Sequence, residues 1–222
     1  MNPSRPLNIY ETKKYNSMTY VIGNWKLNPV GVEEAKDIFN SVKEAENVII
    51  CPPSVYLPVL NKSETQIELG AQDCFWQEKG AFTGEISCSM LEEFCNYVII
   101  GHSERRKFFE DNEMISKKVK AATDSDLTPI VCVGETEQQR SQGSTEEVIR
   151  EQVKAALSKV EEVDSLVVGY EPRWAIGSGE PCSVQKAGPA ALVVRNQLKK
   201  EGLEDAAVVY GGSVDSENAA SY

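Results

Sequence analysis

Pro129-Ile130-Val131-Cys132-Val133 and Leu166-Val167-Val168-Gly169-Tyr170 are apolar runs of strand length. Between them, Ser144-Thr145-Glu146-Glu147 has the pattern of a capping box, and Ile149, Val153, Leu157 and Val160 follow on one helical face. Strand, helix and strand in that order make a βαβ unit, whose crossover is right-handed. The alternation continues in both directions. Further β-rich runs are Tyr20–Gly23, Asn47–Cys51, Ile67–Ala71, Tyr97–Gly101 and Ala207–Tyr210. Val48-Ile49-Ile50 and Val98-Ile99-Ile100 are apolar without alternation, as strands covered on both faces are. Val32–Glu46 and Arg105–Ala122 are helical in composition, and Gly188-Pro189 predicts a break or late start in the last helical segment. The pattern predicts a doubly wound sheet or a (β/α) barrel in one domain. Residues 1–17 are polar and aperiodic and are expected to form a flexible tail, leaving 18–222 as the domain.

The 222 residues are enough for one sizeable core. A formal net charge of −11 argues against nucleic acid and anionic membranes as partners. It leaves room for a phosphorylated substrate, because local N–H groups and one lysine bind an anion whatever the global charge. The six cysteines include no C-x-x-C pair and His102 is the only histidine, so no metal site is expected. Cys51 and Cys132 close apolar runs and read as buried thiols. No apolar stretch reaches the length of a membrane span, no secretory core opens the chain, and a cytosolic location is expected.

The polar residues able to do chemistry follow the C-terminal ends of the strands. Asn24 and Lys26 follow the first run, His102 the fourth, Glu171 the sixth and Gly211-Gly212-Ser213 the seventh. In a (β/α) barrel those ends converge on one mouth. A base, an electrophile and a cation meeting there suit proton abstraction next to a carbonyl. Singly, each has a plainer reading: a structural histidine at a strand end, a solvated lysine, a glutamate in a turn before Pro172.

Four stretches carry a resemblance. Gly23-Asn24-Trp25-Lys26-Leu27-Asn28, Gly101-His102-Ser103-Glu104-Arg105-Arg106, Tyr170-Glu171-Pro172-Arg173-Trp174-Ala175-Ile176-Gly177-Ser178-Gly179 and Tyr210-Gly211-Gly212-Ser213-Val214 are similar to the signatures of the triosephosphate isomerase family. They stand in the family's order and the likeness extends from about Tyr20 to Tyr222. Cys132-Val133-Gly134-Glu135 and Gly80-Ala81-Phe82-Thr83-Gly84-Glu85 fit it too. The resemblance implies an α/β fold of the (β/α)8 TIM-barrel type and the interconversion of dihydroxyacetone phosphate and glyceraldehyde 3-phosphate, without metal or organic cofactor. It makes Glu171 the base and neutral His102 the group that polarises the carbonyl; this family is itself the standard example of a histidine kept neutral by a helix N-terminus. Lys26, held by Glu104, would supply positive charge, with Asn24 beside it. Gly177, Gly212 and Ser213 would bind the phosphate through backbone N–H groups. Pro172, Trp174, Ala175, Ile176, Ser178 and Gly179 would belong to a mobile lid. The family is usually a homodimer, and Thr83, with Phe82, Glu85 and Arg105, would lie at the subunit contact.

The sequence departs from the family in places. Ser178 stands for the usual threonine, and Arg173 and Glu180 replace an aliphatic residue and a lysine. Seven strands are visible before the chain stops at Tyr222, inside what should be the seventh helix, so the barrel is expected to be incomplete and to lack the last strand-helix unit. The two phosphate-binding N–H groups of the family's eighth strand would be missing, which weakens binding by about 3–6 kcal/mol. The first and seventh strands would then be open edges. The alternative reading is a non-catalytic or weakly active barrel that only binds phosphorylated ligands or self-associates.

Overall fold

The computed structural model describes residues 20–176 and 182–222. Seven parallel strands pair in sequential order: β1 (Val21–Asn24), β2 (Val48–Cys51), β3 (Glu68–Ala71), β4 (Tyr97–Ile100), β5 (Thr128–Val133), β6 (Val167–Tyr170) and β7 (Ala207–Tyr210). Eight helices lie among the described residues: α1 (Val32–Val42), α2 (Leu57–Leu60), α3 (Cys88–Leu91), α4 (Ser103–Phe108), α5 (Asn112–Asp124), α6 (Glu137–Ser141), α7 (Thr145–Leu157) and α8 (Val184–Lys200).

Side-chain alternation along the strands divides the interior in two. Val98, Ile100, Val131, Val133, Val168 and Tyr170 face the helices and pack with Phe39, Val119, Ile149, Val153 and Val194. Ile49, Cys51, Ile99, Ile130, Cys132 and Val167 face the other way, joined by Ile22 of β1 and Val209 of β7. No helix contributes to this second cluster, yet its six central members are at most 5% exposed. A flat sheet would leave that face in water; this one curls until the strands cover one another, as a (β/α) barrel requires. Among the described residues β1 and β7 each pair with a single neighbour and are the edges of the sheet.

Three local expectations change. The box read at Ser144 is not formed: its backbone (φ −90°, ψ 10°) carries no side-chain cap. Ser144 N–H instead donates to the Gln139 carbonyl at 2.9 Å and Gly143 N–H to Arg140 at 2.9 Å, so this backbone is committed to closing α6. The capping box lies at Thr136 and Gln139, at the start of α6. The segment Arg105–Ala122, helical in composition, is divided between two helices, because the Asp111 carboxylate accepts Met114 N–H at 2.8 Å and starts α5 afresh. Finally, α8 runs through Pro189 without a break.

At the break between α4 and α5 sits an ionic cluster. Lys118, 2% exposed, meets Asp73 at 2.6 Å and Glu110 at 2.5 Å. Arg105 pairs with the same two carboxylates, at 2.8 Å and 2.5 Å. Two cations thus balance two anions, tying the segment after β3 to α4 and α5. Lys118→Met removes one cation and strands buried negative charge, so it is expected to lower unfolding free energy by about 3–5 kcal/mol. Urea denaturation checks this, and an unchanged midpoint would contradict it.

Candidate active site

The C-terminal ends of β1, β4 and β6 bring Lys26, His102 and Glu171 into one line of contacts. Lys26 is held at φ +54°, a region that side chains other than glycine rarely occupy, with its N–H on Asn24 Oδ1 at 2.9 Å. Gln72 fixes the same turn, its Nε2 donating to the carbonyls of Lys26 (2.8 Å) and Cys51 (2.9 Å). Lys26 Nζ lies 3.0 Å from Glu104 Oε1, and both side chains are solvent-accessible.

His102 is the N-cap of α4 and is 8% exposed. Its Nδ1 accepts the Glu104 N–H at 3.3 Å, a bond that requires an unprotonated Nδ1. Nε2 then faces Glu171 Oε1 at 3.4 Å. The other carboxylate oxygen, Oε2, accepts the Ser103 N–H at 2.9 Å.

Glycines shape the surroundings of Glu171. A Cβ on Gly134 would lie 1.9 Å from the Glu171 carbonyl oxygen, and one on Gly211 would lie 2.8 Å from Glu171 Cγ. Only residues without side chains fit at the ends of β5 and β7. Burial first, then the charge and hydrogen bond of Glu171, hold the Cys132 thiol well above its ordinary pKa. It therefore stays protonated beside the carboxylate.

Glu135 is fully buried, and the sequence alone gives it no role. Its carboxylate accepts from Tyr170 Oη at 3.2 Å, Trp174 Nε1 at 3.1 Å and Arg140 Nη1 at 3.4 Å. Its carbonyl accepts the Arg173 N–H at 3.1 Å, and the Arg140 guanidinium stacks on Trp174 at 4.2 Å. This residue anchors the segment that leaves Glu171. Its place directly after the Gly134 strand end, in a stretch that fits the family, marks it in the sequence without giving its role, because its partners are assembled only by folding.

Pro172, Trp174 and Ile176 form a turn, with Ala175 fully buried and its N–H on the Pro172 carbonyl at 2.8 Å. Gly177, Ser178 and Gly179 lie outside the described residues. Gly212 and Ser213 follow β7 at the same rim; a Cβ on Gly212 would lie 2.0 Å from Tyr210 Oη. The loop after β3 gathers Phe75, Trp76 and Phe82, whose rings lie 4.2 Å and 4.8 Å apart, while Phe82 remains 43% exposed. Thr83 and Glu85 are exposed there, whereas Arg105 is engaged with Asp73 and Glu110 of its own chain. Among the described residues no group of three or more His, Cys, Asp and Glu side chains could hold a metal ion, and no helix is long and apolar enough to cross a membrane.

The triosephosphate isomerase family model matches residues 19–222. The chain belongs to the triosephosphate isomerase family. Curated relatives of that name include those of Dictyoglomus turgidum, 44% identical over 89% of this chain and 86% of that protein, and Clostridium tetani, 43% identical over 87% and 82%. The Aquifex aeolicus protein is 41% identical over 91% of this chain and 87% of its own length. Triosephosphate isomerase membership agrees with the parallel seven-stranded sheet and its rim of polar strand ends.

Gly211→Ala pushes a methyl group against Glu171 and is expected to lower turnover about 10- to 100-fold through misplacement of the carboxylate, with the folded circular dichroism spectrum retained. Wild-type turnover in this variant would show that Glu171 is not confined by the β7 end.

Proposed function

We propose that this chain interconverts dihydroxyacetone phosphate and glyceraldehyde 3-phosphate, with Glu171 as the base and His102 as the proton donor to oxygen. The observation that carries this reading is the buried pair itself: a carboxylate 3.4 Å from an imidazole whose other nitrogen is occupied as an acceptor. With Nδ1 as the acceptor, the proton of a neutral imidazole lies on Nε2, aimed into the site. Glu171 takes a proton from the carbon beside the carbonyl while His102 Nε2 gives its proton to the carbonyl oxygen; Nε2 then takes the proton of the neighbouring hydroxyl, and Glu171 returns a proton to the adjacent carbon. Lys26 offsets the negative charge of the enediolate, and Glu104 keeps the ammonium at the rim. Asn24 holds the Lys26 backbone in its strained turn.

The phosphate is taken by backbone N–H groups of Gly177, Gly212 and Ser213, and the segment from Pro172 to Gly179 acts as the lid that excludes water from the intermediate. The tie between Glu135 and Trp174 supports a defined resting position for the first half of that lid. A second copy of the chain is the expected partner. The exposed Phe82, Thr83 and Glu85 loop, backed by Phe75 and Trp76, supports a homodimer contact in which Thr83 reaches Asn24 of the partner subunit. A cytoplasmic location fits a glycolytic role.

A coupled assay on the purified chain tests the assignment. Glu171→Gln removes the base without changing shape and is expected to lower kcat by about 10²–10⁴-fold. Binding of 2-phosphoglycolate, measured by calorimetry, should remain close to wild type. Undiminished turnover in the variant would remove Glu171 from the base role.

A further inference from the structure

Arg106 has no part in the chemistry described above, yet it joins the two strand ends on which that chemistry is mounted. Its Nε donates to the Gly101 carbonyl at 2.8 Å and to the Cys132 carbonyl at 3.3 Å. Nη2 donates to the same Cys132 carbonyl at 3.0 Å, and Nη1 to Asn112 Oδ1 at 2.9 Å. Gly101 is the residue between β4 and His102. Cys132 lies in β5, and the next carbonyl, Val133 O, accepts the Glu171 N–H at 2.7 Å. The β4–β5 register ends at Ile100 opposite Val131, so the guanidinium takes over where the ladder stops.

The site is fitted to this cation. Gly101 sits at φ +72°, and a Cβ there would approach Arg106 Nη2 to 3.1 Å and Ile115 Cδ1 to 2.9 Å. Among the described residues no carboxylate lies within ion-pair distance of Arg106. Its near partners are neutral oxygens, and Glu110 and Glu171 act on it only as more distant charges. Its four hydrogen bonds go to neutral oxygens on three separate segments, so the guanidinium fixes the positions of those segments relative to one another. A rigid planar fork can hold two carbonyls at a fixed spacing; an ammonium cannot.

We propose that Arg106 is a positioning residue for the isomerisation, clamping the Gly101 and Cys132 carbonyls and thereby setting the separation of His102 from Glu171. The proposal rests on the roles assigned to those two residues.

The test uses Arg106→Lys, which keeps the charge and loses the fork, and Asn112→Ala, which leaves the arginine but frees one arm. Because His102 is the only histidine, its imidazole nitrogen-15 signals report this site without ambiguity. Arg106→Lys is expected to lower kcat about 10- to 100-fold. KM should change little, and the His102 signals should move. Asn112→Ala should act in the same direction with smaller effect, and it decides the matter if the lysine variant does not fold. A lowered melting temperature with wild-type kcat and unmoved His102 signals would overturn the proposal, leaving Arg106 a purely structural residue. A wild-type chain without turnover would instead overturn the assigned reaction, and the imidazole signals alone would then decide the positioning role.

Discussion

The Ser103 N–H bond to Glu171 Oε2, 2.9 Å long, joins the end of β4 to the end of β6 with β5 between them. Neighbouring strands lie about 4.8 Å apart, so strands two places apart in a flat sheet are separated by about 9.6 Å. A glutamate side chain closes that interval when the sheet curves and its strand ends tilt inward. The curvature comes from the helix-free inner cluster, where Ile49, Ile99, Ile130 and Val167 cover one another. Hydrophobic burial along the strand faces therefore brings the polar rim together, and the hydrogen bonds at the rim record how far it has closed.

Each polar group at the mouth is held by a second one. Glu104 holds Lys26, the α4 backbone holds His102, and the Ser103 N–H holds Glu171. Glycines at 134 and 211 leave the space in which the carboxylate sits. Behind this layer the Lys118 cluster ties the loop after β3 to α4 and α5, so the proposed subunit contact and His102 share one support. Groups fixed in this way need little reorganisation as charge develops, which is how a preorganised site lowers a barrier.

The strand positions were legible because parallel strands covered on both faces read as plain apolar runs. The seven readings differ from the structure by no more than a residue or so at either end, as with Leu166 before β6. The site residues were legible because their positions at strand ends coincide with family signatures. Helix boundaries were less so. Ser144 carries the residues of a capping box, but its backbone serves the end of α6, and nothing local distinguishes the two uses. The Asp111 start was hidden within a continuing helical pattern, and α8 passes Pro189 although the local sequence predicts a break there. Glu135 and Arg106 were missed for a different reason. Their partners, Trp174 and Tyr170 in one case and two strand-end carbonyls in the other, include groups 26 or more residues away that meet them only in the fold.

Proton transfer through a carboxylate beside a neutral imidazole is the step on which the assigned chemistry turns. Isomerisation of dihydroxyacetone phosphate by this chain in deuterium oxide, with the product trapped and read by proton NMR, tests it most directly. A base that exchanges with solvent places deuterium at C2 of glyceraldehyde 3-phosphate, and that label is the predicted result. Product formed at full rate with no deuterium on carbon, by the wild type and by Glu171→Gln alike, would indicate direct hydride transfer between the carbons and would contradict the role given to Glu171.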